Sequence, residues 1–193
     1  MKIKGPPELH VIVTGTEVHT NLILARSFYE LLQNFAVELS KRAVRINDGE
    51  TAVDYLVWGM RDAFVACLGR LFDKPGGHGL HRLIDEAVKL GSVSHGVNSA
   101  GALHLEEHVA KIRSIREKIS ALRDRSVAHS NPLRTDTVKP RQAWLEWLAF
   151  AEQVYGEART FAGVQTEVKD HTPPELPGQV RFMLGQITEL PFY

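Results

Sequence analysis

Apolar residues that return at every third or fourth position constrain this chain more than any other feature. Ala25, Phe28, Leu32, Phe35, Leu39, Ala43 and Ile46 follow one another in steps of three and four, which draws a single stripe along a helix expected from about Glu17 to Arg45. Asn47-Asp48-Gly49 interrupts it. Asp48 then caps a second expected helix through Thr51, Val53, Leu56, Val57, Met60, Phe64, Leu68 and Leu71, and Lys74-Pro75-Gly76-Gly77 ends that one. Each stripe needs another element to cover it, so the chain is expected to pack helix on helix.

The pattern continues in the same style. A shorter helix is expected over Leu80 to Leu90, followed by a loop rich in Gly, Ser and Asn from Gly91 to Gly101. A long helix runs from about Ala102 to Ala128, with Leu105, Val109, Ile112, Ile115, Ile119 and Leu122 inward and Glu107, Lys111 and Lys118 outward. Asn131-Pro132 stops it, because a residue before proline is pushed out of the helical region. Pro140 suits the start of a last helix that carries Trp144, Leu145, Leu148, Ala151, Val154 and Tyr155. The expected architecture is an all-α, up-down bundle of four long helices and one short one. It divides into a lead-in at 1–16, the bundle at 17–162, and an irregular tail at 163–193 that contains Pro173, Pro174 and Pro177.

At 193 residues, a globule buries roughly 70% of its unfolded surface. With 44% hydrophobic and 24% charged residues, the composition argues against disorder and against a membrane span. The early apolar run Leu9 to Val13 is too short for a signal peptide core, so the expected compartment is the cytoplasm. Cys67 is the single cysteine, which excludes an intramolecular disulfide and a Cys-based zinc site. It is expected to pack in the core.

Formal charge is zero overall, but it is not evenly spread. Lys111 to Arg141 holds nine Lys and Arg against Glu117, Asp124 and Asp136, which is +6 locally and therefore −6 elsewhere. Such a basic stretch favours an anionic partner. Within it lies Leu122-Arg123-Asp124-Arg125-Ser126-Val127-Ala128-His129-Ser130-Asn131-Pro132. Imidazole, with an ordinary pKa of about 6.5, exchanges protons near neutrality, and guanidinium grips phosphate through two parallel donors. Steps of seven set His108, Ile115, Leu122 and His129 nearly in line on the helix. Arg125 is one turn before His129, whereas Arg123 would stand about 9 Å away along the axis and roughly 120° round. That separation points to a composite site at a two-fold interface.

Arg123-Asp124, four residues and then His129, at the end of a bundle helix, resembles the Arg-polar-x-His signature of HEPN domains. Arg70-Leu71-Phe72-Asp73 together with Leu122-Arg123-Asp124-Arg125 and Ala128-His129-Ser130-Asn131 resembles the HEPN-like branch named after an abortive-infection phage-resistance protein of type U. The resemblance spans residues 17–162, with its specific motifs in these short stretches. It implies a HEPN-like helical bundle, a homodimer, and metal-independent endoribonuclease activity of a phage-defence or toxin type without a cofactor. The products would carry 2′,3′-cyclic phosphate ends. Arg123, Asp124 and His129 would be catalytic, and Arg125, Ser126, Asn131 and Arg116 would contact RNA. An antitoxin or a nucleotidyltransferase is the further partner implied. Other members of the family are non-catalytic modules that bind RNA, nucleotide or protein, and that alternative stays open. A purely structural role for His129, capping the helix against its dipole, is the simplest competing explanation.

Other constellations compete with it. His104-Leu105-Glu106-Glu107-His108 sets two histidines one turn apart, a metal-ligand spacing, but Leu105 stands where a metalloprotease helix carries glutamate. His78, His81 and His95 are possible additions from nearby loops. Exposed or core-edge histidines are the ordinary explanation, and no metal is assigned. Arg70 and Asp73 are expected to cap their helix or to support the Arg/His site from behind. Trp58, Trp144 and Trp147 fall at core-compatible positions. Gly76-Gly77-His78-Gly79 lacks the lysine of a phosphate loop.

Overall fold

The structure, a computed structural model, describes residues 6–42, 52–75, 77–96, 99–128 and 142–164. Five helices account for nearly all of them: α1 (Pro7–Arg42), α2 (Ala52–Leu71), α3 (Leu80–His95), α4 (Ala100–Ala128) and α5 (Gln142–Phe161). The fold is all-α, and there is no strand among the described residues. None of the described helices is long and apolar enough to cross a membrane.

Helix α1 begins at Pro7, well before the expected start at Glu17. Proline at the first helical position loses no hydrogen bond, and Glu8 follows it near the positive end of the helix dipole. From there Val11, Thr14, Val18, Leu22, Ala25, Tyr29 and Leu32 are buried in steps of three and four. Residues 7–16 are thus part of the first bundle helix rather than a lead-in. They dock on α3 and α5, where Gly15 faces Leu83 and Tyr155, and His10 Nδ1 lies 3.4 Å from Glu86 Oε2. Of the stripe read from the sequence, Ala25 and Leu32 are buried and Phe28 is half-buried against the core. Its remaining residues fall outside the described side chains.

Helices α1 and α2 share the most extensive packing, and α3 and α5 cover the remaining side of α1. The rings of Tyr29, Phe64 and Trp144 run through the centre, with centroids 6.0 Å and then 5.1 Å apart, and so join α1, α2 and α5. Trp144 is buried as expected, while Trp58 and Trp147 are half-buried, and the Arg61 guanidinium lies 4.7 Å over the Trp58 ring. At the rim, Arg26 of α1 donates to Glu152 of α5 at 2.7 Å, which raises the proton affinity of the guanidinium. A pair this exposed contributes less than about 1 kcal/mol.

Two glycines decide how closely α3 approaches its neighbours. Gly79 precedes α3, and a β-carbon there would come 2.5 Å from the carbonyl oxygen of Leu71, so only glycine lets α3 start directly against the end of α2. The expected loop at Gly91 is instead helix. Helix α3 runs on to His95 and stops at Gly96, which has φ 86° and whose N–H bonds Ser92 O at 3.0 Å. Gly91 faces the ring of Phe161 at close range, and close packing of this kind outweighs the helix propensity cost of about 1 kcal/mol.

Helix α4 buries Ala102, Leu105, Ile112, Ile115 and Ile119, keeps Val109 and Leu122 against the core edge, and exposes Glu107, Lys111 and Lys118. It packs on α2, α3 and α5. Helix α5 buries Trp144, Leu148, Ala151, Val154 and Ala158 on the same helical rhythm. Cys67 is buried, and burial pushes its thiol above the usual value, although the Arg70 charge opposes the shift.

Candidate anion groove and histidine cluster

Asp62, Val65, Ala66, Gly69, Arg70 and Asp73 follow one another in alternating steps of three and one along α2 and just past its end, so they share one face of that helix. Helix α4 crosses this face and brings Arg123 to it. Together they line a groove of about 490 Å³. Arg123 reaches over Gly69, where a β-carbon would stand in ordinary van der Waals contact, 3.9 Å from one terminal nitrogen of the guanidinium. Asp73 also shapes the turn that leaves α2, since its carboxylate accepts the N–H of Lys74 at 2.7 Å. The structural role expected for Asp73 therefore coexists with a place in the groove, and the Arg70 side chain is exposed along the same groove.

Arg123 is the catalytic candidate that the structure places. Asp124, Arg125 and Ser126 belong to α4, but their side chains lie outside the described residues, as do His129 and Asn131 entirely. Arg116 is half-buried on α4, and Lys111, Arg113 and Lys118 are exposed, so the described part of the basic stretch spreads over the helix surface. Sequence reasoning missed Asp62. Its position two helical turns ahead of Arg70 was the available signal.

A second constellation stands on the α4–α5 seam. His104 and His108 are one turn apart on α4, with ring centroids 4.8 Å from each other. Glu157 of α5 reaches between them: its Oε2 is 2.7 Å from His108 Nε2 and 3.4 Å from His104 Nε2. The donor atoms of all three lie within 4.8 Å of one another. Gln153 donates to the other carboxylate oxygen, Oε1, at 2.9 Å. Burial works to raise the Glu157 carboxyl, but hydrogen bonds from Gln153 and His108 and positive charge on His108 and His104 outweigh it and hold the group below its ordinary value. His108 packs edge-on to Phe150 at 5.4 Å, and Lys111 Nζ caps that ring at 4.0 Å.

The other histidines go elsewhere. His78 Nδ1 is 2.7 Å from Glu17, His81 lies beside Asp85, and His95 leans on Phe161. None of these is in the cluster. The third member, Glu157, comes from the last helix and had no signal in the spacing of the histidines.

No family model, curated protein or solved structure matches the chain.

Proposed function

We propose that the chain is a HEPN-like module of the toxin or phage-defence type that cleaves RNA without a metal ion, at a site shared by two protomers. The observation that supports this is the meeting of the two motif stretches. Arg70 and Asp73, from the end of α2, and Arg123, from the end of α4, line one groove although they lie far apart in the sequence. Two guanidinium groups along one open groove suit the phosphates of a nucleic acid strand.

In this mechanism His129 takes the proton of a ribose 2′-hydroxyl, and the 2′-oxygen attacks the adjacent phosphorus. The 5′-oxygen leaves with a proton from His129 of the partner subunit. Arg123 holds the phosphate and stabilises the charge that builds up in the transition state, while Asp124 orients the arginine. One product ends in a 2′,3′-cyclic phosphate and the other in a free 5′-hydroxyl.

Asp62 and Asp73 in the same groove favour a second reading, a non-catalytic module whose ligand brings groups of both signs, as a protein partner does. One experiment separates the two. The full chain and its Arg123→Ala, Arg70→Ala and His129→Ala variants are incubated with mixed RNA in excess chelator, and the fragment ends are analysed. Cleavage by the parent, lost in Arg123→Ala and His129→Ala and weakened in Arg70→Ala, is expected. Cleavage equal in all four proteins would remove the residue assignment, and absence of cleavage by the parent would favour the binding module.

A further inference from the structure

His104, His108 and Glu157 have no part in the groove. At about 1.5 Å of rise per residue, His104 and His108 lie roughly 20–30 Å along α4 from Arg123. We propose that they form a binding site for one divalent transition-metal ion of the zinc class, which ties α4 to α5.

The geometry is that of a partly assembled coordination shell. Both imidazoles turn Nε2 toward the same carboxylate oxygen of Glu157. Two ligands that each bind a tetrahedral zinc ion at about 2.05 Å stand about 3.3 Å from each other. The 3.4 Å between His104 Nε2 and Glu157 Oε2 already has this value, and it is long for a hydrogen bond. The 2.7 Å between His108 Nε2 and Glu157 Oε2 is a hydrogen bond, and it needs to open by about 0.6 Å for the ion to enter.

The groups around the three ligands prepare them for a cation. Gln153 occupies Oε1 of Glu157 and leaves Oε2 for the ion. Glu107 places a further carboxylate 3.6 Å from His104 Nδ1, so the exposed side of the cluster also carries negative charge. His108 is fixed by its edge-on contact with Phe150. The side chain of His108 is 12% exposed, Glu157 32% and His104 53%, so the site opens to solvent on the His104 side. Three protein ligands leave a fourth position there for water.

Imidazole nitrogen selects the metal class. Two histidines and one carboxylate suit zinc and its first-row neighbours, whereas magnesium and calcium demand oxygen ligands. The ion joins residues on two helices, so it stabilises the folded chain by mass action and does so without touching the RNA groove.

The test is calorimetric titration of the untagged full chain with zinc chloride, repeated with magnesium chloride, and with thermal melts in both the presence and absence of zinc. One zinc per chain is expected, together with a melting temperature that climbs with zinc concentration and no response to magnesium. His104→Ala removes an exposed side chain, and Glu157→Gln keeps the shape of the carboxylate. Both should melt like the parent without zinc and bind it more than about a hundredfold more weakly, beyond the range for loss of an outer-shell partner. Gln153→Ala, which removes only such a partner, should weaken binding by about tenfold. Absence of saturable zinc binding by the parent, equal binding of magnesium, or undiminished binding in His104→Ala and Glu157→Gln would each overturn the site. Since RNA cleavage is measured in chelator, its loss and the loss of zinc binding are separate results.

Discussion

The ring of Phe161 lies so close to Gly91 of α3 that a β-carbon on Gly91 would come within 2.5 Å of its Cε1. The carbonyl oxygen of Phe161 would be 2.7 Å from the same carbon, and rotation of the ring cannot relieve that contact. On the other side of the ring, a β-carbon on Gly101 of α4 would stand 2.7 Å from Cδ2. The end of α5 is thus held between two helices at positions that carry no side chain.

Gly91→Ala should consequently destabilise the fold. Overpacking costs about 1–3 kcal/mol and the better helix propensity of alanine returns about 1 kcal/mol, which leaves a net loss of up to about 2 kcal/mol in urea denaturation. Gly156 of α5 is the control, because nothing lies within 4 Å of a β-carbon there. Gly156→Ala should stabilise by about 0.5–1 kcal/mol. A Gly91→Ala midpoint at or above the parent's would contradict the packing at Phe161.

Thr14 is fully buried on the core face of α1, and its hydroxyl has no hydrogen-bond partner among the described residues. Valine has the same branched shape without the desolvated oxygen. Thr14→Val should raise stability by about 1 kcal/mol, read as a higher urea midpoint with an unchanged slope. A lower midpoint would mean that the hydroxyl is satisfied in solution.

Burial favours the protonated form of Cys67. Its folded pKa is raised above the unfolded value of about 8.5, so the contribution to stability is complete below that pH and is lost as pH rises through the folded value. Native protein should therefore react slowly with a thiol reagent at neutral pH and quickly once unfolded in denaturant, and its melting temperature should fall as the pH is taken from 8 upward. Rapid labelling of the native chain at neutral pH would show that the α2 core opens around this residue.

Arg123→Lys distinguishes charge from geometry in the groove. Lysine keeps the charge but loses the planar fork that matches two phosphate oxygens. If the arginine grips phosphate bidentately, RNA binding should weaken by about tenfold or more, with the salt dependence little changed, whereas Arg123→Ala should also flatten the salt slope by about one unit. Equal affinity of the lysine variant would reduce Arg123 to a general positive charge.

The helices were legible because each is written in its own segment. Leu105, Ile112, Ile115 and Ile119 on α4, and Trp144, Leu148, Ala151 and Val154 on α5, point inward as their spacing predicts. Errors fell at ends and glycines. Gly91 reads locally as a loop, since the Phe161 ring that makes it useful inside a helix is far away in the chain, and residues 7–16 read as a lead-in because their partners on α3 and α5 come much later. At the candidate sites the sequence offered Arg123, and the one-turn spacing of His104 and His108. It offered nothing to connect Glu157 to those histidines.

The order of apolar and breaking residues alone determined that this chain folds as packed helices, because a helix repeats within a few residues and its buried face is set by neighbours three and four positions apart. Tertiary packing decided which faces meet. The rotation and register of α4 against α2 bring Arg123 to Arg70 and Asp73, and those of α5 against α4 bring Glu157 to His104 and His108. Contacts of that kind depend on how whole helices nest in one another, a relation that no local spacing encodes.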